Sequence, residues 1–210
     1  MIPLRYRPAL PVIAATLLAT PAFAFLPAPY PPNCTVPTCV RMVPAGNIVT
    51  AVIVRDSNND PIPNSVVSLS YANCPGFVLC TGGPLPDAYF IDAANHRVAL
   101  VTNAVGSAPF YLRAGGGCVP AALDIMAAGV PLGTARVVSA DQNGDLVVDA
   151  TDVAIVTSKM GTADLSGDLD CDGDVDTLDR DIVANYFGNT CLEATPTHPR
   201  SWGSLKLVYR

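Results

Sequence analysis

Two aspartate-rich stretches near the C-terminus carry the side chains best suited to chemistry. They are Asp141-Gln-Asn143-Gly-Asp145-Leu-Val147-Val-Asp149-Ala-Thr-Asp152 and Asp168-Leu-Asp170-Cys-Asp172-Gly-Asp174-Val-Asp176-Thr-Leu-Asp179. The two superpose at a constant offset of 27 residues. Each places an oxygen-bearing side chain at loop positions 1, 3, 5, 9 and 12, the spacing with which a calcium loop surrounds a hard cation, aided by a backbone carbonyl at position 7. Asp141, Asn143, Asp145, Asp149 and Asp152, with the carbonyl of Val147, form one candidate site. Asp168, Asp170, Asp172, Asp176 and Asp179, with the carbonyl of Asp174, form the second. The chemistry expected is the binding of two calcium ions.

Something must hold these loops, and the repeat runs on past the ligands. Ile155-Val156 recurs as Ile182-Val183, and Met160-Gly161 as Phe187-Gly188. Each loop is therefore expected to lead into one short helix that stops at a glycine. Val153, Val156 and Met160 share one face of the first helix; Leu178, Ile182 and Tyr186 form an apolar stripe on the second. Neither stripe can be buried alone, so the helices should pack on each other. Val148 and Val175, both at position 8, are expected to join the loops through a short backbone bridge. A merely acidic, solvated surface would show none of this register.

The stretch from Ala140 to Cys191 resembles the type I dockerin module, a pair of loop–helix units that lack the entering helix of a full EF-hand. Like that family it has Asp at position 12 of each loop. The resemblance implies a cohesin-like protein partner, contacted through positions 10 and 11, here Ala150, Thr151, Thr177 and Leu178. Two departures stand out. Leu146 replaces the glycine of the sharp turn, and Cys171 occupies position 4 of the second loop. A leucine held left-handed costs about 1–2 kcal/mol. With five carboxylates at ligand positions against four, the second loop is the expected tighter site.

The chain has 210 residues, 50% of them hydrophobic and 14% charged, which suits one or two small globular domains. Twelve of its 18 acidic residues fall between Asp141 and Asp181, so the net charge of −6 belongs to the loops. The remaining basic residues are scattered, which argues against nucleic acid. Residues 1–24 read as a secretory signal peptide: Arg5 and Arg7, an apolar stretch, then Ala22-Phe23-Ala24. The product is expected to be secreted, with retention at the cell surface left open. Seven cysteines agree with an oxidising destination. The simplest division joins Cys171 to Cys191 and makes two bridges among Cys34, Cys39, Cys74, Cys80 and Cys118, leaving one thiol free. Zinc would want closer Cys or His pairs.

Residues 25–139 alternate short β-like runs with Gly, Pro and Asn turns, which predicts an antiparallel β-sandwich. Runs are expected at residues 47–55, 65–71, 97–102, 108–113, 123–128 and 134–139, with Pro109 marking an edge strand. The phrases Val52-Ile-Val-Arg-Asp56, Asn59-Asp-Pro-Ile-Pro-Asn64 and Thr102-Asn-Ala-Val-Gly106-Ser-Ala-Pro-Phe110-Tyr-Leu112 resemble bacterial Ig-like domains of the invasin/intimin type. That resemblance implies a spacer or adhesive module. The fold class expected is thus mainly β: an Ig-like sandwich at 25–139, a dockerin-like loop–helix module at 140–191, and a tail at 192–210.

No catalytic set emerges. His96 and His198 are the two histidines, and neither sits in an activating phrase. Gly115-Gly116-Gly117 lacks the Lys-Ser/Thr of a phosphate loop and reads as a flexible connection. The expectation is a secreted, non-catalytic calcium-binding protein for attachment or scaffolding, in the setting of extracellular polysaccharide breakdown that the dockerin resemblance implies. A glycan-binding or glycan-degrading enzyme subunit, or a cell-surface adhesin, is the alternative. Removing calcium is expected to unfold residues 140–191 while the sandwich survives.

Overall fold

The computed structural model describes residues 27–45, 48–80 and 90–191; residues 1–24, expected to be a signal peptide, and the tail, with His198 and Trp202, lie outside them. Ten strands precede two helices among the described residues. They are β1 (Cys39–Met42), β2 (Thr50–Ile53), β3 (Val66–Ser70), β4 (Val78–Leu79), β5 (Phe90–Asp92), β6 (Arg97–Val101), β7 (Ser107–Phe110), β8 (Ala114–Gly115), β9 (Cys118–Ala127) and β10 (Val130–Ser139). The helices are α1 (Ala150–Lys159) and α2 (Thr177–Asn185). The chain is mainly β, as its turn-punctuated first part implied.

Six strands form one curled sheet in the order β1-β10-β9-β3-β6-β5, and β2–β7 and β4–β8 form two small ribbons. Alternation drives this arrangement: Val67 and Leu69 of β3, with Tyr71 just beyond it, point inward, while Ser68 and Ser70 are half-exposed. Two register shifts in the long β9–β10 hairpin, at Pro131/Gly133 and Ala135/Val137, bend it around the core. Val52, Ala108 and Phe110 of the β2–β7 ribbon are buried in the same cluster as Leu69, Leu123 and Ile125. Pro109 pairs with Ala51 in that two-stranded ribbon, an edge as expected. One pair departs from the antiparallel expectation: β1 runs parallel to β10. With only four residues, β1 carries too short an alternation to have been read as a strand.

A second cluster crosses the junction at Ser139–Ala140. Val43 and Val138, from the β-rich part, are buried with Ala140, Val148, Val156, Leu169, Val175 and Val183. Val156 and Val183 are the inward residues of the two helices; Val153, Met160, Ile182 and Tyr186 pack around them. Leu178 departs from the expected stripe and is 55% exposed. Both helices run out at the foreseen glycines, Gly161 and Gly188, which adopt φ of 71° and 84°.

The loops are not joined by a Val148–Val175 bridge. Instead Gly188 N–H donates to the Val148 carbonyl at 2.8 Å and Gly161 N–H donates to the Val175 carbonyl at 2.9 Å. Each helix therefore delivers its terminal glycine to the other unit's loop, a swap related by the same offset of 27 residues.

That swap also explains why the expected Cys171–Cys191 bond is absent. Cys191 follows α2 and lies at the first loop, where its N–H donates to the Leu146 carbonyl at 3.0 Å. Cys171 stands in the second loop and faces β1. The disulfides are Cys39–Cys171, Cys74–Cys118 and Cys80–Cys191, with Cys34 free. Two of the three tie the loop–helix part to the β-rich part. Three disulfides fit an extracellular protein. Peptide mapping without reduction should recover these three linked pairs and one alkylatable thiol; a linked Cys171–Cys191 peptide would refute the swap.

Candidate metal centre

Positions 1 and 12 build each loop from within. Asp141, Asp152 and Asp168 are fully buried and Asp179 is 1% exposed. Burying a charge is tolerable only when it is well hydrogen-bonded, and backbone amides supply those bonds. Asp141 accepts N–H from Gly144 and Leu146, both at 2.8 Å. Asp152 accepts from Gln142 at 2.7 Å, Asn143 at 3.3 Å and Asp149 at 2.8 Å. The second loop repeats the pattern. Asp168 accepts from Asp172 at 3.2 Å and Gly173 at 2.9 Å; Asp179 accepts from Leu169, Asp170 and Asp176 at 2.6, 3.2 and 2.8 Å.

Position 9 does double duty. Asp149 and Asp176 are the N-caps of α1 and α2, and each forms a reciprocal capping box with position 12. A ligand-type residue thus also starts each helix, which explains why the helices begin where they do. Positions 3 and 5 curl the loop through side-chain turns: Asn143 and Asp170 accept N–H from position 5, and Asp145 and Asp172 accept N–H from position 7.

This tight path needs left-handed backbone at positions 4 and 6 of both loops. The φ values are 75° at Gly144 and 70° at Leu146, then 70° at Cys171 and 107° at Gly173. Each loop supplies glycine at only one of the two positions. Leu146 is left-handed as expected, and so is Cys171.

In the second loop Asp168, Asp170 and Asp172 present carboxylate oxygens within 4.8 Å of one another, and Asp174, Asp176 and Asp179 form another such trio. These two acidic clusters can bind metal ions, and the all-carboxylate donor set suits a hard cation. Asp174, expected to serve through its carbonyl, places its side chain in the second of these trios. No matching trio occurs in the first loop, where Asn143 replaces a carboxylate and donates to Asp145 at 2.8 Å. Crowding marks both loops electrostatically. Burial pushes the Asp141 carboxyl up to about 6, with Asp152 and Asp145 adding to the rise against the two amide bonds. Burial also raises Asp170, and the neighbouring Asp172 raises Asp174. A cation would favour the charged form of each carboxylate against both the burial and the repulsion.

The sheet grips the two loops by different means, and none of these residues was foreseen. Behind the first loop, Gly116 N–H donates to the Asp141 carbonyl at 2.8 Å. A Cβ on Gly115 would fall 1.8 Å from Asp141 Oδ2, so the glycine run is a close-fitting cradle, not a flexible connection. Behind the second loop, Arg136 Nη2 of β10 donates to Asp168 Oδ2 at 2.6 Å. Arg41 Nη1 of β1 lies 3.5 Å from the Leu169 carbonyl, and Cys39 of β1 holds Cys171. Lys159, at the end of α1, links the units by donating to Gln142 Oε1 at 2.9 Å and Ser166 Oγ at 2.7 Å. Three successive glycines were the one visible signal of close backbone approach; an arginine within a strand carries none.

Ala150, Thr151, Thr177 and Leu178, the residues at positions 10 and 11, are all exposed. The chain matches none of the protein-family models, curated proteins or solved structures with which it was compared.

Asp152→Ala would orphan three amides and dismantle one capping box. Bonds to a charged acceptor are worth about 1.5–3 kcal/mol each, and loss of the Asp141–Asp152 repulsion offsets part of them. Urea unfolding in chelator should show a net loss of about 3 kcal/mol, and Asp152→Asn, which keeps one acceptor oxygen, should lose less. Equal stability of Asp152→Ala and wild type would refute the role given to position 12.

Proposed function

We propose that the protein binds calcium in both loops and serves as a secreted, non-catalytic attachment module of the dockerin kind, docking a cohesin-like partner. The observation that carries this reading is the repeated ligand register, in which buried carboxylates at positions 1 and 12 bracket further oxygen-bearing side chains at 3, 5 and 9. Asp141, Asn143, Asp145, Asp149 and Asp152, with Val147, hold the first ion. Asp168, Asp170, Asp172, Asp174, Asp176 and Asp179 hold the second. The exposed positions 10 and 11 support a docking role: Leu178 offers an apolar contact at the start of α2 next to Thr177, and Ala150 and Thr151 hold the equivalent positions at the start of α1. The β-rich part, similar in its strand and turn phrases to bacterial Ig-like domains, is the spacer that presents this face. Polysaccharide-degrading assemblies are the setting that the dockerin resemblance supplies. No helix among the described residues is long and apolar enough to cross a membrane.

Calorimetric titration of the chelator-treated, disulfide-intact protein should find two calcium ions per chain and a melting temperature that rises with calcium, since a ligand that binds only the folded state stabilises it. No heat and no shift at millimolar calcium would overturn the cation reading. Leu178→Asp should leave calcium binding intact and abolish capture of a cohesin-like domain; undiminished capture would overturn the docking face.

A further inference from the structure

The repeat makes Asp141 and Asp168 equivalent, yet their surroundings differ in charge. Both oxygens of Asp141 accept only backbone N–H groups, and the wall behind it is the bare glycine backbone of Gly115 and Gly116. No ion pair reaches Asp141 among the described residues. Asp168, equally buried, has a guanidinium 2.6 Å away, and Arg136 itself is only 19% exposed. Arg136 also lies 3.4 Å from the Leu165 carbonyl through Nη1, and it faces Cys39 across the β1–β10 pair. Cys39 in turn clamps Cys171. The arginine is thus fixed on the sheet, and the disulfide beside it keeps the second loop within its reach.

We infer that Arg136 is a built-in counter-cation for the second loop, one that holds the loop folded without metal and lowers its affinity for calcium. This rests on the cation reading proposed above. Two electrostatic consequences follow from one contact. In chelator, Arg136 neutralises a buried carboxylate that would otherwise be held by two backbone amides alone. In calcium, the same positive charge sits beside a ligand of the incoming divalent ion and opposes it. Among the described residues no cationic side chain pairs with a carboxylate of the first loop, which depends on its cation for neutralisation. The second loop's surplus of carboxylates is therefore worth less to an incoming ion than its count suggests, because the charge of Asp168 is already spent on Arg136.

The sign of the effect distinguishes this role from simple positioning. An arginine that merely oriented Asp168 would weaken calcium binding when removed. A counter-cation would strengthen it. The test uses the full disulfide-bonded chain carrying Asp149→Asn, which removes one carboxylate of the first loop while keeping a good helix N-cap. Into that background go Arg136→Gln and the charge-retaining Arg136→Lys. Calcium titration should show the Gln variant binding about tenfold tighter or more at the second loop, with the Lys variant near the parent. Melting in chelator should fall for Gln and be largely restored by Lys. Should the Gln variant unfold in chelator, melting curves recorded downward from saturating calcium still report its affinity. Unchanged or weaker calcium binding by Arg136→Gln, with the parent binding normally, would overturn the counter-cation role alone. No calcium binding by the parent or any variant would overturn the cation reading beneath it.

Discussion

The C-terminal part of this protein depends on buried carboxylates that accept backbone amide hydrogens. Position 1 pulls the amides of the loop's middle around itself, and position 12 gathers the amides of its beginning and of the helix start. A loop that folds around its own anions is compact, but it concentrates charge in a place water barely reaches. Desolvation then opposes what the hydrogen bonds favour, and the raised Asp141 carboxyl records that opposition. The oxygen-bearing side chains at positions 3, 5 and 9 shape turns and cap helices, and all of them but Asn143 add negative charge. A cation in each loop is the simplest physical resolution, and it is the reading proposed for the protein.

Around that constraint the rest of the molecule acts as a frame. The β-rich part shares a hydrophobic cluster with both helices, and two disulfides fasten the loop–helix part to it, Cys39–Cys171 from the curled sheet and Cys80–Cys191 from just beyond β4. The swap of terminal glycines between the units makes them mutually dependent: disturbing one loop disturbs the stop of the other's helix. Unfolding of residues 140–191 alone, with the β-rich part untouched, is hard to reconcile with a core that includes Val43 and Val138. Chelation is better pictured as loosening a shared unit than as melting a detachable one.

Much of this was legible in the residues. The period of the two loops, the helices after them and the glycine stops follow from short-range rules, because caps, turns and amphipathic stripes are decided within a few residues. Strand alternation around Val67 and Leu69 was equally local. What escaped reading was set by long-range placement. Cys171 and Cys191 share a module in the sequence, yet the swap carries Cys191 to the other loop. Arg136 lies 32 residues from Asp168 and meets it only because β10 passes behind the second loop. The two-residue strands β4 and β8 have too little alternation to announce themselves and form because neighbouring chain is already in place.

The most direct measurement is an anomalous difference map from crystals of the disulfide-intact protein grown in calcium. The expected map has two strong peaks, one in each loop, each about 2.3–2.6 Å from side-chain oxygens at positions 1, 3 and 5 and from the position 7 carbonyl. Peaks outside the loops, or none at millimolar calcium with both loops well ordered, would contradict the claim that these carboxylates exist to surround a cation.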